Sequence, residues 1–354
     1  MGAIYENLLR PLLFRLDAEK AHDLGTTALD YLGRLSPVCR VMEATNLIRG
    51  NRPIRVFGID FPNAVGLAAG MDKNARFWRA APALGFGHVE IGTITGQQQP
   101  GNPRPRVFRF PEEKAIINRM GFNNEGAEAI AARLKRSLNK RPSRIPLGIN
   151  IGKSRIVPLE SAIDDYLSSF HRLVEFADYI TINVSSPNTH DLRRLQHKDH
   201  LHSLLQALTE TNRSRARKLG EETTPLLLKI APDLNFEEID DVLAAVDEWG
   251  IDGIIATNTT IARPGAFAGV GETGGLSGRP LHPHSIEIVN YISRATSGRL
   301  PIIGSGGIDD PATAGAMMDA GASLVQVYTG MVYRGPFVAR DLARALSPRH
   351  SHWI

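Results

Sequence analysis

A single cysteine, Cys39, stands among 354 residues. One thiol excludes an internal disulfide framework and any zinc cage built on cysteines, and it fits a reducing compartment. No stretch reaches the ~18 consecutive apolar residues of a membrane-spanning helix. The layout of a secretory leader is missing as well: Glu6 comes early, and Arg10 interrupts the apolar face of the first segment. Excess charge is scarce. The formal net charge of +4 is too small to argue for nucleic acid, although it suits an anionic substrate or an anionic membrane surface.

What the chain does have is alternation. Apolar runs of strand length occur at 63–69, 88–95, 146–151, 178–184, 225–231, 252–257, 300–305 and 323–328. Helical patterns follow them at 74–85, 124–139, 160–176, 199–219, 236–249, 283–297, 311–321 and 336–347. Eight strands each followed by a helix imply an α/β fold, a closed (β/α)8 TIM barrel. The other arrangement, an open doubly wound sheet, usually has fewer strands and a Gly-x-Gly-x-x-Gly turn after its first strand. Here that turn reads Ala68-Ala69-Gly70-Met71-Asp72-Lys73. Two connections are longer than a barrel needs. Residues 96–118 are expected to form a hairpin beside the barrel mouth, and 260–280 is a Gly-rich loop.

Ahead of the barrel, residues 3–16 place Ile4, Leu8, Leu9, Leu12, Leu13 and Leu16 at helical spacing. Asp17 can cap a second helix running to about Leu35, which Ser36-Pro37 ends. Two readings are open: a helical lid on the main domain, or an element for a membrane surface or hydrophobic ligand. Residues 40–55 read as a linker.

The C-terminal ends of barrel strands converge on one mouth. In this chain they supply Gly70 to Lys73, Thr93, Asn150, Asn183 to Asn188, Lys229, Thr257-Asn258-Thr259, Ser305-Gly306-Gly307 and Tyr328-Thr329. That set holds no histidine and no carboxylate pair, so metal chemistry and glycoside hydrolysis are not expected. It is rich in neutral donors and acceptors, which suits a large polar heterocycle. Glycines after strands seven and eight suit a phosphate. Lys229 reads either as an ion pair with a buried carboxylate such as Asp233, or as a cation facing an anionic ligand. His197, His200 and His202 read as a solvated helix face rather than a metal cluster.

These residues sit inside longer blocks. They include Gly66 to Lys73, Asn118-Arg119-Met120-Gly121-Phe122-Asn123-Asn124, Asn183-Val184-Ser185-Ser186-Pro187-Asn188-Thr189, and Lys229 to Asp233. Further blocks are Ala256 to Thr260, Thr273 to Gly278 and Ile303 to Ile308. In that order, from about Asn7 to Phe337, the chain resembles dihydroorotate dehydrogenase of the membrane-associated, quinone-reducing class.

The resemblance implies FMN at the barrel mouth and oxidation of dihydroorotate to orotate in pyrimidine synthesis, with a membrane quinone as final acceptor. It implies FMN contacts at Ala69, Gly70, Met71, Asp72, Lys73, Thr93, Asn150, Asn183, Lys229, Thr257, Gly278, Gly307, Tyr328 and Thr329. It implies substrate contacts at Lys73, Asn118, Arg119, Met120, Gly121, Phe122, Asn183, Asn188, Asn258 and Thr259. It puts the base at Ser186, with Thr189 in the proton's exit path. The soluble class uses a cysteine there, and Cys39 is far away in sequence. On the same grounds residues 1–40 are expected to form a membrane and quinone-access element ahead of a catalytic domain at 41–354. His22, Arg109 and Tyr328 then flank the quinone channel. The expected location is the cytoplasmic side of the cell membrane, peripherally bound, as a monomer with no nucleic-acid partner.

Two stretches depart from the family pattern. His190-Asp191 stands where Pro and Gly are usual, and aspartate tolerates positive φ less well than glycine. Gly96-Gln97-Gln98-Gln99 replaces a version containing proline. The remaining alternatives are a soluble flavoenzyme using fumarate or a nicotinamide, and a non-catalytic flavin- or phosphate-binding barrel.

Overall fold

The computed structural model describes residues 2–46, 53–139 and 143–347. Thirteen strands are numbered in chain order. A hairpin, β1 (Ile54–Val56) and β2 (Ile59–Phe61), precedes β3 (Val65–Leu67) and β4 (His88–Ile94). Then come β5 (Val107–Phe110), β6 (Ala115–Asn118), β7 (Leu147–Ile151), β8 (Tyr179–Asn183) and β9 (Leu226–Lys229). The last four are β10 (Gly253–Ala256), β11 (Gly275–Gly278), β12 (Ile302–Ser305) and β13 (Leu324–Val327).

Eight of these close a parallel barrel in the order β3-β4-β7-β8-β9-β10-β12-β13. They are the eight apolar runs of the sequence. Their near-continuous burial is what a parallel sheet with helices on its outer face requires. Small residues admit large neighbours: a Cβ on Gly148 would lie 2.1 Å from Tyr179, and one on Gly66 would lie 2.0 Å from the His88 ring. The β1–β2 hairpin plugs the N-terminal end of the barrel, where Phe61 packs edge-on to His88 at 5.3 Å. His88 is fully buried, and among the described residues neither ring nitrogen has a partner. Burial lowers its pKa to about 3.

The expected helices follow their strands, with one exception. Over 74–85 only short turns form, Trp78–Ala80 and Ala81–Leu84. The Asp72 carboxylate accepts from the N–H groups of Arg76, Phe77 and Trp78 at 2.8–2.9 Å, which holds that backbone in a turn rather than a helix.

The 96–118 connection does form a hairpin, β5–β6. The second long loop adds β11 to its edge, giving a three-stranded antiparallel sheet in the order β11-β6-β5. Its own small core is Ala115, Ile117, Phe267 and Leu276.

The N-terminal segment is helical from Gly2 to Leu13, with one wide turn at Tyr5–Leu9. Pro11 follows that turn, and proline in a helix excludes the carbonyl four residues back. Asp17 caps the second helix, Ala18–Arg34, by accepting from the N–H groups of Glu19 and Lys20. The 40–55 region is not simply a linker. Ser36–Asn46 is a helix with Pro37 in its first turn that crosses residue 40, and β1 begins at Ile54; residues 47–52 lie outside the described residues. Proline at a first helical turn starts a helix as readily as it ends one. These helices leave Ile4, Leu8, Leu12 and Val41 more than half exposed.

Candidate active site

The floor of the barrel mouth is built around a charge that has no business in an apolar strand. Glu90, in the middle of β4, is completely buried. Asn150 Nδ2 donates to its Oε1 at 2.9 Å, and Thr181 Oγ1 and Gln326 Nε2 each donate to its Oε2 at 3.0 Å. The Lys229 ammonium stands 4.0 Å from Oε1. These groups come from β7, β8, β13 and β9, so the carboxylate ties barrel strands together through one set of charge-assisted bonds. The expected partner of Lys229, Asp233, is engaged elsewhere: Arg193 Nη1 pairs with it at 2.9 Å and Thr260 Oγ1 donates to it at 2.5 Å. Burial lowers the Lys229 pKa and the Glu90 charge opposes that shift.

Above this floor lies a carboxamide cluster. Thr93 Oγ1 donates to Asn150 Oδ1 at 2.6 Å; Asn183 Nδ2 donates to Thr93 Oγ1 at 2.9 Å and to Asn150 Oδ1 at 3.1 Å. Ser185 Oγ donates to Asn183 Oδ1 and accepts from Asn258 Nδ2. Arg193 donates to the carbonyls of Ser185 and Thr259, both at 3.1 Å, and so locks two strand ends together. Each side chain is held in one orientation before any ligand arrives.

The strand ends enclose a cleft of about 1020 Å³, counting the space at its open mouth. Of the residues singled out from sequence, Ala69, Gly70, Lys73, Thr93, Asn118, Met120, Gly121, Phe122, Asn183, Ser186 and Asn188 line it. So do Lys229, Thr257, Asn258, Thr259, Gly278, Gly307, Tyr328 and Thr329. Four others do not. Asn150 lies beneath Asn183, Met71 faces a different cleft, and Asp72 spends its carboxylate on the turn described above. Arg119 pairs with Glu272 at 2.6 Å and stacks on Phe108. Sequence reasoning passed over Leu281 and Gln326, which also line the cleft; Ser305, Gly306 and Ile308 were in view at the end of strand seven, and Ser277 only inside a longer block. Ser277 arrives on β11, whose strand character was hidden in a Gly-rich loop.

Two features match what a flavin mononucleotide needs. Lys229 is a buried cation with no hydrogen bond to protein among the described residues, so its ammonium is available to an anionic edge. Elsewhere on the cleft wall, Gly278, Gly306 and Gly307 all have positive φ, and a Cβ on Gly307 would lie 2.5 Å from His282 Cβ. Only glycine lets the backbone run that close, which suits a phosphate cradle. The residues present fit the group.

Lys73 Nζ donates to the Gly70 carbonyl at 2.6 Å. Burial lowers its pKa to about 8, partly offset by the Glu19 charge. Ser186 is nearly buried, and its Oγ accepts from the Asn188 N–H at 3.3 Å. Thr189 Oγ1 is buried with no partner among the described residues. Asp191 takes φ +55, the strained region anticipated for it, with its carboxylate 2.9 Å from His190 Nδ1.

A second cleft, of about 1240 Å³ with its mouth, lies between the N-terminal helices and the barrel. Its walls are mostly apolar, with Leu9, Leu13, Leu29, Val107, Ile116 and Val332 among them. Lys73, Met120 and Tyr328 line both clefts. His22 and Arg109 line the second one. Burial lowers the His22 pKa to about 3, helped by the Lys73 charge. Arg109 stacks on Phe14 at 4.4 Å and donates to the carbonyls of Leu13, Phe14 and Leu16 at the end of the first helix.

A family model described as dihydroorotate dehydrogenase matches residues 53–349. The chain belongs to the dihydroorotate dehydrogenase (quinone) family. It is 52% identical over 351 residues to the dihydroorotate dehydrogenase (quinone) of Chloroflexus aurantiacus, covering 97% of this chain and 96% of that one. It is 52% identical over 349 residues to that of Salinispora arenicola, covering 97% and 98%. The crystal structure of DHODH from Eimeria tenella in complex with ferulenol is similar across 97% of this chain and 96% of that one, with TM-score 0.83 and 38% identity. The barrel preceded by helices is thus the architecture of a dihydroorotate dehydrogenase. No helix among the described residues is long and apolar enough to cross a membrane.

Proposed function

We propose that this chain oxidises dihydroorotate to orotate in pyrimidine biosynthesis, with FMN in the barrel-mouth cleft and a quinone drawing electrons from the apolar cleft. The observation that carries this reading is the wall that the two clefts share, Lys73, Met120 and Tyr328, which brings a polar acid site and an apolar site to opposite faces of one position. FMN, when bound, supplies the two-electron chemistry that the side chains lack.

The chain's own residues bind, orient and move a proton. Lys229 would face the cofactor's anionic edge, and the Gly278, Gly306 and Gly307 backbone would hold its phosphate. Thr93, Asn183 and Thr257 would fix its ring, with Asn150 beneath them holding Asn183 and Thr93 in place. Lys73 holds the substrate carboxylate, while Asn118, Asn183, Asn188, Asn258 and Thr259 hydrogen-bond the pyrimidine edge. Ser186 Oγ takes the proton beside the ring carbonyl. Its own proton needs an outlet, and Thr189 Oγ1 is placed three residues on without a competing partner among the described residues. Phe122 at the rim excludes bulk water.

Residues 1–40 serve as the quinone-access element and 41–354 as the catalytic domain. The exposed Ile4, Leu8, Leu12 and Val41 give the helices an apolar face for a lipid surface, which supports peripheral attachment to the cytoplasmic face of the cell membrane. The deciding experiment compares a soluble quinone with fumarate at fixed dihydroorotate. Faster turnover with quinone is expected; faster turnover with fumarate overturns the acceptor assignment.

A further inference from the structure

Glu19 lies in the first turn of the helix Ala18–Arg34 and lines the apolar cleft. Its carboxylate is nearly buried and takes a fork of bonds from Arg106: Nη2 at 2.7 Å and Nε at 3.1 and 3.2 Å. Arg106 is equally buried and sits in the loop before β5. Its remaining nitrogen, Nη1, turns the other way and donates to the carbonyls of Pro100 and Asn102 at 2.7 and 2.8 Å. Asn102 Nδ2 in turn donates to the carbonyls of Arg119 and Asn188, at 2.9 and 3.1 Å. Asn188 lines the substrate cleft, where its Nδ2 donates to the Asn118 carbonyl at 3.0 Å.

We propose that Glu19 is a positioning residue for the substrate-side loop, acting through Arg106 and Asn102. The geometry gives one continuous set of bonds from the N-terminal helix to the rim of the polar cleft. Every donor on Arg106 that bonds within the chain is spent on one of its two ends. Gly101 fits this assignment independently: its φ is +79, and a Cβ there would sit 2.6 Å from Arg106 Nη1 and 2.3 Å from the Met120 carbonyl. The loop is wrapped on the guanidinium so closely that only glycine fits. A buried ion pair is a poor source of net stability, because desolvation consumes most of its attraction. What this pair does supply is one fixed geometry, since a planar guanidinium fork admits few orientations. The helix that walls the apolar cleft thereby sets where Asn102, and through it Asn188, stands.

The proposal rests on the reading that Asn118 and Asn188 face orotate, and the test separates the two. In the full-length flavin-loaded protein, amide hydrogen exchange over residues 100–104 is measured beside the orotate dissociation constant. Glu19→Gln is expected to speed exchange over 100–104 and to weaken orotate roughly two- to thirtyfold, the range for groups coupled through a contiguous network. Arg104→Ala, which removes the exposed arm of the same cluster, is expected to change neither. Combining Glu19→Gln with Asn102→Ala should weaken orotate no further than Asn102→Ala alone. Unchanged exchange over 100–104, unchanged orotate affinity with only a lower melting temperature, or additive losses would each overturn the proposal. If Glu19→Gln does not fold, Arg106→Lys keeps the charge without the fork and must loosen the same loop. Failure of the unaltered protein to bind orotate would sink the substrate reading, while the exchange over 100–104 still judges the link.

Discussion

Lys229 and Glu90 form an ion pair at 4.0 Å in the interior of the barrel, and the pair is the base on which the polar cleft stands. Lys229→Met leaves the carboxylate with its hydrogen bonds but without its cation. Removing one partner of a buried pair costs on the order of 3 kcal/mol. A lower melting temperature and a weaker hold on flavin are expected. Adding Glu90→Gln should restore part of the melting temperature and none of the flavin affinity. Thermal denaturation and flavin-release titration check both statements.

Ser186→Ala removes the proposed base and keeps the cleft's shape. Flavin should stay bound, and anaerobic flavin reduction by dihydroorotate should slow by roughly 10²- to 10⁴-fold, the worth of a general base. Stopped-flow absorbance measures this directly. An unchanged rate moves the base to another residue.

Lys73 has a pKa lowered to about 8, chiefly by burial. It is therefore charged below that pH and increasingly neutral above it. Orotate affinity should fall as pH rises through about 8, and Lys73→Met should bind orotate weakly with that fall abolished. Equilibrium titration between pH 6 and 10 distinguishes the two curves.

His88 gives a prediction about stability. Its pKa is about 3 in the fold, below the ordinary value of 6.5. The unfolded chain therefore binds a proton that the folded chain refuses. The contribution of neutral His88 is complete above pH 6.5 and is lost as pH falls from there toward 3. One such group gives a slope of at most about 1.4 kcal/mol per pH unit. His88→Leu should flatten that acid limb in urea titrations; an unaltered slope would show that His88 is not its source.

Leu8 and Leu12 are 59% and 54% exposed on the first helix. Replacing both with Glu should reduce co-sedimentation with lipid vesicles and leave flavin reduction by dihydroorotate intact. Retained vesicle binding would place the membrane face elsewhere.

All eight barrel strands were legible, because a buried parallel strand is an apolar run and each run ended in a cluster of polar residues. The convergence of those ends followed from topology, which is why residues as distant as Thr93 and Thr329 could be gathered into one site. The partner of Lys229 was not legible. Asp233 is close in sequence, whereas Glu90 meets Lys229 only through the barrel's curvature; the available signal was a glutamate in the middle of an otherwise apolar strand. β11 was hidden because four residues with glycine at both ends carry almost no strand pattern. The turn after Asp72 looked helical from its apolar spacing, and local hydrogen bonds to a carboxylate overrode that spacing. Arg193 and the Glu19–Arg106 fork depend on contacts across long loops, which periodicity does not encode.

The common partition of Lys73, Met120 and Tyr328 has a pharmacological consequence. A greasy inhibitor wedged among the first helices would leave the orotate seat vacant, so raising dihydroorotate would not displace it. On the proposed electron route through that cleft, such a compound would act as a plug on electron exit, and its potency would track the acceptor concentration instead.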